Sequence, residues 1–524
     1  MNDCSRGLIG RAAHGVFLLL IACAGTEKGP ARDVLRVAIS RPIKGWDLAR
    51  AIEFEEENAH SLVFEGLTLT TPDGRLLPGL AERWTTSDGR VFEFHLRRGV
   101  RFHDGTPFGA NDVVRAWKAA LRWPEASRPW PLDPIAGARE FTAGRATDVS
   151  GLSAPNDSTL VVELQSAFSA FPATLARRIV AVAAPASSDA RPIGTGPWAL
   201  VRADTASGYR FARNQSYWGV HPKVESLWLR IVRDSQLAKE FDAGALDCAQ
   251  DVGYRVRRSL LGRTDLNTTH SPPVGLRQLV FNFRNPGLRD IRIRRAMQLA
   301  IDVPRLARET GNADVVPAAG VIPPGYPGFD STLTPWPYDP SEARRLLADA
   351  GYRPSRPFRL WTTTSSQRDS LRSVSYRIRD YLVAVGIHVE MYISDGDWSI
   401  MTDGTVDLNS VTIFPRFPDG DDLLFPQFHS SMQSATGNEG AFSDPVVDRL
   451  LEQGRAAVDS TARTALLQKT NRLLHDRAPL LGVWFTPITN VFANRISGCP
   501  ASVFPTTFSE VEIVGARRGK GTTL

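Results

Sequence analysis

Residues able to do covalent, metal or proton chemistry are few in this chain, and their spacing argues against a catalytic centre. The 524 residues include nine histidines and four cysteines. His60, His95, His103, His221, His270, His388, His429 and His475 are scattered. No HExxH, GxSxG or GxxxxGK[ST] segment occurs, nor any Cys/His pair at metal-ligand spacing. No catalytic residue, cofactor or resident metal is therefore expected. The protein is read as a binder.

The cysteines divide by position. Arg6 and Arg11 precede the apolar run Gly15 to Ala22, which leads into Cys23-Ala24-Gly25, the layout of a secretory signal peptide. Leu20-Ile21-Ala22-Cys23 resembles the lipobox of bacterial lipoproteins, whose cysteine is acylated and becomes the new N-terminus. Export, cleavage of residues 1–23 and tethering to the membrane through Cys23 are expected, because two or more acyl chains anchor stably where one does not. Cys4 would be discarded. Cys248 and Cys499 would then sit in an oxidising compartment, either as a disulfide or as two separately buried thiols.

Those side chains need a scaffold, and length calls for more than one lobe. Hydrophobic residues make up 42% and charged residues 23%, as in folded soluble proteins. The net charge of +6 is spread without a long cationic run, which gives no footing for nucleic acid. Beyond the extreme N-terminus no apolar stretch is long enough to span a bilayer.

VLRVAIS (34–40) reads as an interior strand, 51–65 as a helix, and Pro72-Asp73-Gly74 as a turn. RVFEFHLRRG places Val91, Phe92, Phe94 and Leu96 against Glu93, His95 and Arg97, a half-buried strand. A helix follows over VVRAWKAALRW with Asn111 as its cap, and 122–150 reads as an irregular insertion. In the second half, 292–301, 341–350 (capped by Ser341) and 371–385 (stopped by Gly386) read as helices. They alternate with strands at 359–364 and IHVEMYI, the pattern of an α/β lobe.

The stretch from Phe64 to Leu121 carries Glu65-Gly66-Leu67, Pro78-Gly79-Leu80-Ala81 followed by Trp84, and Leu96-Arg97-Arg98-Gly99-Val100-Arg101-Phe102-His103-Asp104-Gly105-Thr106-Pro107. Further on stand Gly194-Thr195-Gly196-Pro197-Trp198, Asn214-Gln215-Ser216-Tyr217-Trp218, Ala243 to Asp247, Phe281-Asn282 and Arg294 to Asp302. Over about 35–490 the chain resembles the family 5 extracellular solute-binding proteins, the oligopeptide, dipeptide and nickel-binding components of ABC transporters. The resemblance implies an α/β, periplasmic-binding-protein-like fold of class II, two lobes on a hinge. Lobe I would comprise 34–50, 190–275 and 487–515, with 51–189 as an inserted subdomain, lobe II 276–486, and 516–524 a polar tail. Most signature residues read as scaffold, since Gly105 and Pro107 set a turn and Trp84 and Phe94 are core-sized.

The implied function is capture of a peptide or other small solute between closing lobes, and its delivery to ABC permease subunits by a monomer at the extracytoplasmic face. Two alternatives remain: a sensing receptor uncoupled from transport, and a carrier of a metal complex such as nickel, with His429 as the residue to test. In peptide-binding relatives an aspartate in a segment shaped like Trp-x-x-Asp-Tyr-x-Asp-Pro pairs with the peptide's α-ammonium; here that register falls on Arg416 in Ile413-Phe414-Pro415-Arg416-Phe417-Pro418-Asp419-Gly420-Asp421. Arg416 would grip a carboxylate or phosphate and repel an ammonium. Otherwise Asp419 or Asp421 takes the role, or Arg416 is held in an ion pair with one of them. Phe414, Phe417 and Trp398 as walls, and Tyr254, Asn282, Arg41 and Lys44 by position in the family fold, complete the ligand-binding candidates.

Overall fold

The structure is a computed structural model describing residues 33–48, 54–123, 130–260, 262–312, 314–363, 369–394, 398–434 and 437–514. Residues 1–32, with Cys23, lie outside the described residues, as do the side chains of Tyr254 and Trp398.

Two large mixed sheets organise the chain. The first runs in the order Leu266–His270, Thr489–Ala493, Cys248–Ala249, Val34–Ile39, Ser226–Ile231, Gly208–Arg213, Trp198–Asp204. Its centre is parallel: Val34–Ile39 is flanked on both sides by parallel neighbours, Ser226–Ile231 and Cys248–Ala249. Such a strand is covered on both faces, so it reads as a nearly continuous apolar run, and Leu35 and Val37 are fully buried. The second sheet runs Val316–Pro317, Leu480–Thr486, Gly275–Phe281, Leu408–Ile413, Phe358–Thr363, Val389–Ser394. Its core gathers Leu279, Phe281, Leu360 and Leu408 with Ile378 and Leu382 of the Asp369–Ala384 helix.

Two chain crossings join the sheets. Leu266–His270 leads through Ser271-Pro272-Pro273 into Gly275–Phe281, and Leu480–Thr486 leads through Pro487-Ile488 into Thr489–Ala493. The crossings are stitched together, since the Ser271 amide donates to the Ile488 carbonyl at 2.9 Å and the Ile488 amide to Ser271 Oγ at 2.9 Å. Two adjacent strands form a narrow connection, the usual build of a hinge.

A third layer is the four-stranded sheet Ala81–Thr85, Val91–Leu96, Thr159–Glu163, Leu152–Asn156. The alternation expected for Val91–Leu96 is present: Phe92, Phe94 and Leu96 are buried and Glu93 is exposed, with Val91 turned outward at 41% exposure. The helix after it spans Ala110–Ala120 and starts two residues earlier than Asn111 suggested. Gly109 is the cap, and the Asp112 carboxylate accepts its amide at 3.0 Å. Likewise Asp339, rather than Ser341, caps Pro340–Asp349, because Pro340 occupies the first helical position, where its missing donor costs nothing.

The signature segments meet at one buried carboxylate. Glu65, 2% exposed, accepts from Thr195 Oγ1, Tyr217 Oη and Trp218 Nε1, each at 2.8 Å. Burial pushes its carboxyl up, and these three donors with the nearby Arg178 guanidinium oppose that shift. His103 Nε2 and Asn214 Nδ2 both lie 3.0 Å from the Gly196 carbonyl. Gly194 and Gly196 are required here, since a Cβ would fall 2.0 and 2.5 Å from the Val63 and Leu62 carbonyl oxygens.

Candidate functional site

Parallel strands on both sides of Val34–Ile39 all end at the same edge of the first sheet. The residues just beyond those ends that line one cavity are Ser40, Val232, Asp234, Gln250 and Asp251, joined by Glu55, Asn58, Ala59 and Leu62 of the Phe54–Val63 helix. The cavity holds about 630 Å³ of non-atom space, part of it open to solvent. Ligands of open α/β sheets lodge at such carboxyl ends because the connections diverge there and leave a crevice.

Its polar wall is acidic. Burial alone would raise the Glu55 carboxyl, but hydrogen bonds from Arg41 at 2.7 Å and Ser40 Oγ at 2.8 Å outweigh it and hold Glu55 below the usual range. Desolvation by the surrounding cavity walls pushes Asp251 up to about 6, helped by the neighbouring Glu55 and Asp234 charges and opposed by Arg257, although the residue itself is open to solvent. The same crowding raises Asp234, which is also exposed. Asp251 takes φ +48°, a left-handed conformation uncommon for a non-glycine residue, and Asn490 Oδ1 accepts its amide at 3.1 Å.

The Arg416 segment belongs to the second sheet, between the Leu408–Ile413 strand and the Gly420–Phe428 helix. Arg416 is committed to Asp422, with Nε 2.8 Å and Nη2 2.7 Å from Oδ1, and its backbone amide also donates to that carboxylate. This geometry supports the ion-pair reading, with Asp422 as the partner in place of Asp419 or Asp421. Asp419 caps the helix through the Asp421 amide and receives a two-pronged grip from Arg463 at 2.6 and 2.7 Å. Asp421 is held by Arg455 Nη2 at 2.8 Å. Three aspartates thus fix three arginines around one helix start.

The other candidates are spread out. Phe417 is 0% exposed and forms part of the apolar core of the third layer, a closing contact between elements far apart in sequence. Phe414 packs against Gly275, where a Cβ would lie 2.3 Å from its ring. Asn282 is buried and spends Nδ2 on the Met401 and Val406 carbonyls at 2.8 and 2.9 Å. Arg41 reaches the cavity through Glu55, and Lys44 is exposed. His429 stacks on Phe425 at 4.3 Å, with its ring nitrogens 2.7 Å from Ser431 Oγ and 3.3 Å from Glu452. Among the described residues no group of three or more His, Cys, Asp or Glu could hold a metal ion. Cys248 and Cys499 are joined as a disulfide inside the first lobe's core.

Glu55, Asn58, Asp234, Gln250 and Asp251 were not singled out by the sequence reading. The available signal was a polar residue just after each apolar strand. Nothing local reveals that the three strand ends are neighbours.

A family model described as bacterial extracellular solute-binding proteins, family 5 Middle, matches residues 75–435. Di/tripeptide-binding protein 2 of Pseudomonas aeruginosa (strain UCBPP-PA14) is 26% identical, with 93% of this chain and 96% of the relative covered. Glutathione-binding protein GsiB of Shigella dysenteriae serotype 1 is 25% identical over 93% and 95%. The ABC transporter-associated periplasmic binding protein DppA from Helicobacter pylori, solved with the peptide STSA, superposes with a TM-score of 0.75 at 20% identity, covering 92% of this chain and 98% of that one.

Proposed function

The chain belongs to family 5 of the bacterial extracellular solute-binding proteins, and on that premise we propose that it is the solute-capturing component of an ABC importer. It takes a peptide or other small solute between two lobes that close on the paired crossings at Ser271 and Ile488. The cavity at the carboxyl ends of the first sheet's parallel strands carries this reading. Acceptor groups converge on it.

In this reading the lobes follow the divisions expected from the sequence, with 34–50, 190–275 and 487–515 in the first lobe and 276–486 in the second. The closed form is what permease subunits engage. Cys23 carries the lipid that holds a monomer at the extracytoplasmic face. Among the described residues no helix is long and apolar enough to cross a membrane. Narrow crossings between two separately cored sheets support hinge motion, because few contacts need to change there.

Calorimetric titration with a panel of di- and tripeptides, paired with small-angle scattering, tests the proposal. The expected result is saturable binding with a smaller radius of gyration in the bound state. Binding also raises the unfolding temperature with ligand concentration, since only the folded state binds. A protein that retains no solute in native mass spectrometry, binds none of the panel and does not contract would refute it.

A further inference from the structure

Among the described residues, two of the three carboxylates in the cavity have no ion-pair partner. Glu55 is matched by Arg41 at 2.7 Å. Among the described residues neither Asp234 nor Asp251 has a basic partner at ion-pair distance, and Arg257, the cation that acts on Asp251 from farther off, is itself 2.7 Å from Asp314. The two aspartates follow the strands on opposite flanks of Val34–Ile39, so their charges face the end of the central strand from both sides.

A second, uncharged group points the same way. Asn58 is 7% exposed, lines the cavity, and its Oδ1 has no hydrogen-bond donor among the described residues. Leaving a buried acceptor without a donor is costly, so such a group in a ligand-sized cavity calls for a donor from outside the protein. The cavity therefore offers a buried Asn58 oxygen short of a donor and, at its open side, two solvent-exposed carboxylates that carry negative charge. Its floor is apolar, formed by Leu62, Leu229 and Leu237.

On these grounds we infer that the cavity receives a cationic group of the solute, an amine or guanidinium on a methylene stem, and that Asp234, Asp251 and the Asn58 oxygen recognise it. An ammonium or guanidinium brings only donors and a positive charge. An anion would meet two carboxylates, with the nearby Arg41 and Arg257 each paired to a carboxylate of its own, and a neutral carbonyl would supply acceptors to acceptors. The apolar floor matches the stem, and the open side admits the rest of the solute. This assignment rests on the solute-receptor reading and narrows it. Cation recognition falls to the first lobe, while the Arg416 segment of the second lobe is occupied by its own ion pairs.

The test uses the secreted chain and two dipeptides of nearly equal shape, glycyl-arginine and glycyl-citrulline, with glycyl-glutamate as the opposite charge. Titration calorimetry is run on the wild type and on the double variant Asp234→Asn, Asp251→Asn. Glycyl-arginine should bind the wild type about tenfold or more tighter than glycyl-citrulline. The double variant should lose that preference, its affinity for glycyl-arginine falling to its affinity for glycyl-citrulline, with an unfolding temperature no lower than the wild type's. Equal affinities in the wild type, preference for glycyl-glutamate, no binding of glycyl-arginine, or a preference that survives in the double variant would each overturn the assignment. Glycyl-citrulline binding without charge discrimination sinks the cation pocket and leaves the receptor reading standing. Silence toward every probe, with no retained solute and no contraction, sinks both.

Discussion

Phe417 offers a direct measure of what holds the lobes together. It leaves the second sheet's Leu408–Ile413 strand, yet it is fully buried in the core built by residues 67–193. The same seam carries Arg455, whose guanidinium lies 3.2 Å from the Phe425 ring centroid and 4.4 Å from that of Phe168, and whose carbonyl accepts the Ser169 amide at 2.9 Å. On the proposed division of the lobes, opening the cleft exposes Phe417. Full burial of a phenylalanine is worth about 1.5–3 kcal/mol. Phe417→Ala removes most of that, so the closed-to-open ratio should fall by roughly 10- to 150-fold. Scattering at one subsaturating ligand concentration should show a larger radius of gyration for the variant than for the wild type. Ligand affinity should drop by up to the same factor, because binding must then supply the closure energy. The unfolding temperature should change little, since the residue already leaves its pocket before the lobes unfold. An unaltered radius and affinity with a strongly lowered unfolding temperature would refute this reasoning and make Phe417 an ordinary core residue.

Other consequences follow from buried groups. Glu65→Ala strands three donors and Arg178 in the interior, so it should cost about 3–5 kcal/mol in urea unfolding, while Glu65→Gln, which keeps one acceptor, should cost less. Burial pushes Glu439 up to about 7, with only the Asn409 amide at 2.8 Å as compensation. The folded state therefore keeps a proton that the unfolded chain loses near pH 4.5, and stability falls as pH rises from there to about 7. Glu439→Gln should match the wild type at pH 4 and exceed it at pH 8 by about 2–3 kcal/mol in thermal or urea unfolding. The Cys248–Cys499 bridge closes a separation of 251 residues. Replacing both with alanine should cost about 2–5 kcal/mol in denaturation under oxidising conditions, and the difference should vanish in reductant.

The amino-acid sequence by itself determined the local elements and the family. VLRVAIS is apolar on both sides of its pleat and became the doubly covered central strand. Phe92, Phe94 and Leu96 sit at period two and fill one face of a sheet. Gly386, at φ +95°, ends its helix as a left-handed glycine should. Glu65, Thr195, Tyr217 and Trp218 were legible as signature residues, though their convergence on one carboxylate was not.

Tertiary structure alone decided the cavity and the fate of Arg416. Asp234 and Asp251 follow strands that are separated in the chain and brought to either side of Val34–Ile39 by parallel pairing. Pairing of that kind needs long crossover connections, so no local pattern records it. Arg416 as a residue type allows a ligand's carboxylate or a structural one, and its register cannot choose between them. The Gly420–Phe428 helix turns Asp422 back onto it, and that choice belongs to the fold.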